Sequence, residues 1–246
     1  MIKDLERAKS AFESALSRMA AAGFNVGEKP SLSVDPNLEI MGYTNEQDGR
    51  RSIVIAGHAL REAMLEPLLM HELSHIVLTR LGHPSHDDRL ITAALHHYHG
   101  RLSPWKISLL ANAVNHVQNI YADDILFKAS PSLDQRVTQD FFYHWVKSSS
   151  LKGDNLSDDR WYAVDIMINN AFAIASLRRR QMLKPKAFET KICAKNNTLL
   201  KSVKIDTKTF AQFETFFATL PTKISKPQYT KLLTKFLADV VDLAES

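Results

Sequence analysis

Leu5, Ala8, Phe12, Ala15, Leu16 and Met19 recur at steps of one, three and four, with polar residues between them. That spacing predicts an amphipathic helix from the N-terminus to about Ala22, and the early acids Asp4 and Glu6 set it apart from a secretory leader. Residues 23–36 hold Gly23, Gly27, Pro30 and Pro36 and read as loop with room for a short strand. Residues 38–43 alternate weakly and predict a strand, residues 46–49 a turn, and the β-branched run 52–56 the best strand of the chain. Residues 60–65 read as helical or irregular. Glu66-Pro67 then opens a clear helix, with Pro in the first turn and an acid at the positive end. Leu68, Leu69, Leu73, Ile76 and Val77 fill it. Leu81-Gly82-His83-Pro84 ends it, with Gly82 just past the last turn. Further helices are predicted over 87–98, 104–128, 133–146, 159–183, 210–220 and 229–241. A polar loop is predicted over 147–158, and 188–200 stays undecided. The pattern is that of a mostly helical α+β chain. A small N-terminal sheet and a motif-bearing helix belong to a core over residues 1–130, and a helical region follows over 131–246.

The 246 residues are 45% hydrophobic and 24% charged, ordinary for a folded globular chain and unlike a disordered one. No run nears the roughly 18 apolar residues of a membrane helix, so no membrane contact is expected and a cytoplasmic location is the default. The single cysteine, Cys193, excludes an intrachain disulfide and any cysteine-based zinc cluster. A bound metal would therefore rest on carboxylates and on the ten histidines.

Residues His71-Glu72-Leu73-Ser74-His75 read H-E-x-x-H inside the helix that starts at Glu66. On a helix the residues at i and i+4 share a face, so both imidazoles can reach one Zn²⁺ at about 2.0–2.1 Å. Glu72, beside the first histidine, is the general base expected to take a proton from attacking water. Apolar residues flank the motif on both sides. A buried helix that carries His, Glu and His needs a compensating reason for them.

A catalytic zinc takes a third protein ligand and keeps one position open. The candidates lie on the helix after Pro104, where His116, Asn119 and Asp123 share a face at steps of three and four. Asp123 is the first choice for third ligand, with Asp124, His116 and Asn119 as alternatives. Asp123 or Asp124 would otherwise orient a zinc-bound imidazole or face solvent.

With these residues the chain resembles the zincin metallopeptidases, over roughly residues 53–124. The resemblance implies a zinc-dependent hydrolase, above all a metalloprotease acting on a peptide or protein substrate. Glu72 would activate the water and pass its proton to the leaving amine. It also implies an edge strand beside the motif helix on which extended substrate pairs, a part for residues 52–56. The metzincin extension is absent, since Leu78 and Leu81 stand where it needs Gly and His. The gluzincin branch draws a Glu ligand and a supporting Asp from a second helix. Here Asn119 stands in place of that Glu and Asp123 in place of that Asp. An oxyanion donor is expected as well, from among His96, His97, Tyr98, His99, Tyr143, His144 and Tyr162. The aromatics Trp105, Phe141, Phe142, Trp161 and Phe172 are expected in the core.

The net charge of +4 is uneven: residues 178–235 hold 14 Lys or Arg against three acids, Glu189, Asp206 and Glu214. A solvated helical face accounts for this, and Arg178, Arg179 and Arg180 suit the negative end of a helix. A nucleic-acid surface is the competing reading, though no recognised nucleic-acid motif is present. A zincin-like protein with weak or no catalysis, acting by binding a protein partner, is the other alternative.

Overall fold

A computed structural model describes residues 2–149 and 160–246. Among them are nine α-helices and one three-stranded sheet near the N-terminus, the mostly helical α+β architecture expected. The polar loop predicted over 147–158 falls mainly outside the described residues. By contact the chain divides into two units, residues 1–86 with 121–138, and residues 87–120 with 139–246. Position 130 lies within the segment that returns to the first unit. Helices α4 (Pro104–Ala129) and α5 (Gln135–Trp145) each contribute to both.

In the first unit α1 (Ile2–Ala21) packs on α2 (Leu65–Arg80). Ala8, Phe12, Ala15 and Met19 form the buried stripe of α1, while Leu5 is exposed. Across this contact Glu66 accepts hydrogen bonds from Ser14 at 3.0 Å and from Arg18 at 3.1 Å. Helix α2 buries Leu65, Leu69, Met70, Leu73, Ile76, Val77 and Leu78, residues spread over most of its circumference. A helix apolar on nearly every side belongs in an interior, and that fixes α2 as the centre of the unit.

The strands are β1 (Ser31–Asp35), β2 (Gly42–Gln47) and β3 (Arg50–Ala56), in the order β1-β3-β2. Strand β3 runs parallel to β1 and antiparallel to β2. This corrects the expectation that residues 52–56 form an edge strand. They are paired on both sides, and the edges belong to β1 and β2. The physical reason is in the composition. Ile53 and Ile55 are fully buried, as a middle strand needs, whereas the polar β2 tolerates an edge. The hairpin turn between β2 and β3 is Asp48-Gly49, with φ of 52° and 74°. Two successive positive φ values make the tight turn whose twist matches that of the strands.

In the second unit α6 (Arg160–Arg179) is the central helix, packed by α7 (Lys186–Ser202), α8 (Thr207–Ala218) and α9 (Lys226–Glu245). Phe142, Trp161 and Phe172 are buried there as expected, but Trp105 is 38% exposed and stacks on Tyr162. The undecided stretch 188–200 is helical within α7. The arginines at the end of α6 are bound into this unit. Arg178 pairs with Glu214 at 2.6 Å and Glu189 at 3.5 Å, and Arg179 donates to the Ala218 and Leu220 carbonyls. Arg180 donates to the Ser176 carbonyl. Among the described residues no helix is long and apolar enough to cross a membrane.

Candidate metal centre

Helix α2 brings His71 and His75 onto one face, and their Nε2 atoms stand 3.1 Å apart. The rings meet edge to face, with centroids 4.8 Å apart and planes at 80°. Two nitrogens bound to one tetrahedral Zn²⁺ at about 2.0–2.1 Å would lie about 3.3 Å apart. The observed gap is close to that, so these two residues fit a shared ion.

Each ring is held from behind. Asp123, on the part of α4 within the first unit, places Oδ1 2.9 Å from Nδ1 of His71. A carboxylate on Nδ1 keeps the proton there and leaves Nε2 with its lone pair. Asp123 thus sits on the opposite side of the His71 ring from His75, where it orients the imidazole, and Asp124 is half-buried beside it.

His75 is held by residues further along its own segment. At the end of α2 the His83 N–H bonds the Leu78 carbonyl and the Gly82 N–H bonds the Thr79 carbonyl. Gly82 has φ of 62°. This is the helix stop that needs a left-handed residue, best supplied by glycine. The chain reverses into a short 3-10 turn, Pro84–His86, which returns His86 to α2. Nε2 of His86 lies 2.7 Å from Nδ1 of His75. Ser85 Oγ bridges Nδ1 of His86 at 2.8 Å and Nδ1 of His83 at 2.7 Å. Burial, with His83 and His71 nearby, holds the His86 imidazole down to about 3, so it is neutral at physiological pH. Burial also lowers His83.

Glu72 is buried and faces the sheet. Thr44 Oγ1 on β2 lies 2.9 Å from Glu72 Oε2 and 3.1 Å from the Glu72 carbonyl. A hydroxyl has one proton to give. If it goes to the carbonyl, Oε2 must carry a proton of its own. Burial agrees, pushing the Glu72 carboxyl above its ordinary value against the opposing pull of His71 and Thr44. Gly42 makes room for this approach: a Cβ there would meet the Val54 carbonyl at 3.1 Å and Glu72 Oε1 at 3.7 Å.

The other sequence candidates fall in the second unit. His116 and Asn119 are buried on the portion of α4 that packs there. All the proposed oxyanion donors lie in the second unit as well, and His96, His97 and His99 among them are exposed. His116 stacks on Phe172 with ring centroids 4.8 Å apart. Desolvation lowers it to about 4. Because the unfolded chain binds this proton near pH 6.5 and the folded one only near 4, stability falls as pH drops through that window. We expect a loss of about 2–3 kcal/mol by pH 4 from this group. Urea midpoints at pH 7 and pH 4.5 test it, and a His116→Met variant with the same acid sensitivity as wild type would refute it.

His83, Ser85 and His86 are the residues that sequence reasoning missed. Their one signal is the four-residue stretch His83-Pro84-Ser85-His86, with a histidine at each end, just after the motif helix. Among the described residues no group of three or more His, Cys, Asp or Glu side chains is arranged to hold a metal ion, so the converging pair is a two-histidine one. A model for a family of unknown function matches the chain over residues 22–241. No curated protein and no solved structure matches it.

Proposed function

The chain belongs to that family, DUF5781, whose description assigns no activity, and from the site itself we propose a zinc-dependent hydrolase, in the first place a metallopeptidase. The observation that carries this reading is the pair of Nε2 atoms, 3.1 Å apart on one helix face, in a motif that also supplies Glu72. Zn²⁺ at that pair would polarise a scissile carbonyl and acidify water. The chain's own residues do the rest. His71 and His75 hold the ion, and Asp123 fixes the ring of His71. Glu72, whose carboxyl is pushed up by burial, would accept a proton from water and return it to a leaving amine. Strand β2 carries Thr44 against Glu72 and is an edge of the sheet. Its outer backbone groups are a template for pairing with an extended peptide.

A second reading is favoured by the number of converging ligands. Catalytic zinc sites use three protein ligands, and two histidines suit weaker binding, with the protein acting through a protein partner and little turnover. The first test serves both. Metal content is measured after purification and after exposure to micromolar Zn²⁺. Wild type is expected to take up stoichiometric zinc, and His71→Ala or His75→Ala to lose it. Asp123→Ala is expected to weaken binding by about 10–100-fold without abolishing it, as removal of an orienting carboxylate does. Absence of uptake by wild type would end the hydrolase reading. Uptake without cleavage of a peptide library would favour the partner-binding one.

A further inference from the structure

Helix α7 presents two unlike sides. Inward it buries Ile192, Asn196, Leu199 and Leu200. Outward it exposes Thr190, Lys191, Ala194, Asn197, Thr198 and Lys201, with Lys195 half-buried beside them. At 3.6 residues per turn these positions form one broad face. No acid stands on it. The one carboxylate of α7, Glu189, is half-buried and paired with Lys186 at 2.8 Å and Arg178 at 3.5 Å.

The cations gather at one end of this face. Lys191 and Lys195 both reach Tyr143, near the C-terminal end of α5. Their Nζ atoms lie 4.1 and 4.4 Å from the ring centroid, and Lys195 also donates to the Tyr143 carbonyl at 2.7 Å. The ring and the negative helix end offset part of the repulsion between two like charges held so close. Lys147 brings a third. Its backbone N–H and carbonyl each bond the Asn170 amide at 2.8 Å, and that amide also holds Asn196 of α7 at 3.0 Å. Lys147 is thereby fastened next to α7, and it is exposed. Burial, and then the charges of Lys147 and Lys191, hold the Lys195 ammonium below its ordinary value. Among the described residues none of Lys147, Lys191, Lys195 and Lys201 has a carboxylate partner.

We infer that this face of α7, together with Lys147, is a binding surface for the phosphate backbone of nucleic acid. It is separate from the metal centre and does not depend on it. The composition favours this partner over an acidic protein. Protein–protein interfaces are depleted in Lys and enriched in Arg and aromatic residues, and a carboxylate is gripped best by the planar fork of Arg. Here Arg178, Arg179 and Arg180 are bound within the unit. The outward face offers Lys, Asn and Thr, which donate singly to phosphate oxygens. From Lys191 to Lys201 the helix rises about 15 Å, a length over which duplex DNA carries about nine charges. The Tyr143 ring is already taken by ammonium groups, so it is no platform for a base. Recognition is of backbone charge, not of sequence.

The test uses the full chain, no added zinc and a short fluorescently labelled DNA duplex, with anisotropy read as salt is raised. Four lysines on phosphates predict a slope of log affinity against log salt of about −3.6, or about a 100-fold loss between 50 and 200 mM salt. Lys191→Gln/Lys201→Gln is expected to make that slope shallower by about 2 and to weaken binding about 10–100-fold at 50 mM salt. Lys147→Gln, outside any helix, is expected to lower the slope by about 1 and keeps the test open should the double variant not fold. Lys223→Gln/Lys231→Gln removes the same charge from exposed positions before and on α9 and is expected to bind as wild type does. Equal losses in the two double variants would mean a general charge effect and overturn the inference. So would α7 and Lys147 variants that bind as wild type does, or a wild type that does not bind at 50 mM salt. Polyglutamate that competes as well as unlabelled duplex at equal charge would assign the face to an acidic protein and overturn the nucleic-acid reading.

Discussion

Glu72→Gln is expected to lower peptide hydrolysis by about 10²–10⁴-fold, the usual worth of a positioned general base, while zinc uptake stays intact. The substitution is close to isosteric. A glutamine can still meet Thr44, since its amide group donates where a protonated carboxyl would. It removes only the capacity to accept and return a proton. Folding stability supplies the control. Burial disfavours the ionised form of Glu72, so a neutral amide should leave the unfolding midpoint unchanged or higher. A peptide library assayed at saturating zinc reads the first effect, and urea unfolding reads the second. Cleavage by the glutamine variant at the wild-type rate would remove Glu72 from the mechanism and, with it, the main chemical reason to read the motif as catalytic.

The largest stability effect is expected at Asn170. Its side chain is fully buried on α6. Nδ2 donates to the Lys147 carbonyl at 2.8 Å and to Asn196 Oδ1 at 3.0 Å, and Oδ1 accepts from the Lys147 N–H at 2.8 Å. One amide therefore fastens the end of α5 and a polar group of α7 to the central helix of the second unit. Asn170→Leu keeps the branch at Cγ, adds some volume to a packed site and strips the partners. Each buried group left unpaired costs about 1–3 kcal/mol, so a loss of roughly 3–4 kcal/mol is expected. It should show as a lower urea midpoint with an unchanged slope. A loss below about 1 kcal/mol would mean that water reaches these groups.

Much of the first unit was readable because its signals are local. Glu66-Pro67 and Gly82 bound α2 to within a residue, and the β-branched run from Ser52 marked β3. The strand read over 38–43 lies instead at Gly42–Gln47 and runs through Glu46 and Gln47, which read as turn, because β2 is almost wholly polar. Its place is set by the Asp48-Gly49 turn and by pairing with β3, neither of which is visible as hydrophobic alternation. Strand β1 lies in a Gly- and Pro-bearing stretch and exists by its register with β3. The order of the strands is a tertiary fact, and that is why residues 52–56 read as an edge.

The site divides in the same way. His71, Glu72 and His75 follow from helical geometry alone. Asp123 was reachable because a polar face recurs on α4, but that face does not act as one. His116 and Asn119 pack with the second unit while Asp123 packs with the first. His83, Ser85 and His86 lie beyond the helix, at spacings that match neither a helix nor a known ligand series. Only the chain reversal at Gly82 brings them to His75.

That reversal also sets how the centre assembles. The His75–His86 contact closes a loop of 11 residues, and the His71–Asp123 contact closes one of 52. Loop-closure entropy grows slowly with length, so the longer contact costs only about 1.4 kcal/mol more than the shorter. The short closure is made within one contiguous stretch of chain, whereas the long one waits for α4 to dock. The histidine pair can therefore acquire half of its orientation during the earliest collapse around α2. The other half arrives with tertiary packing, so ion capture by the completed centre would report on that docking step.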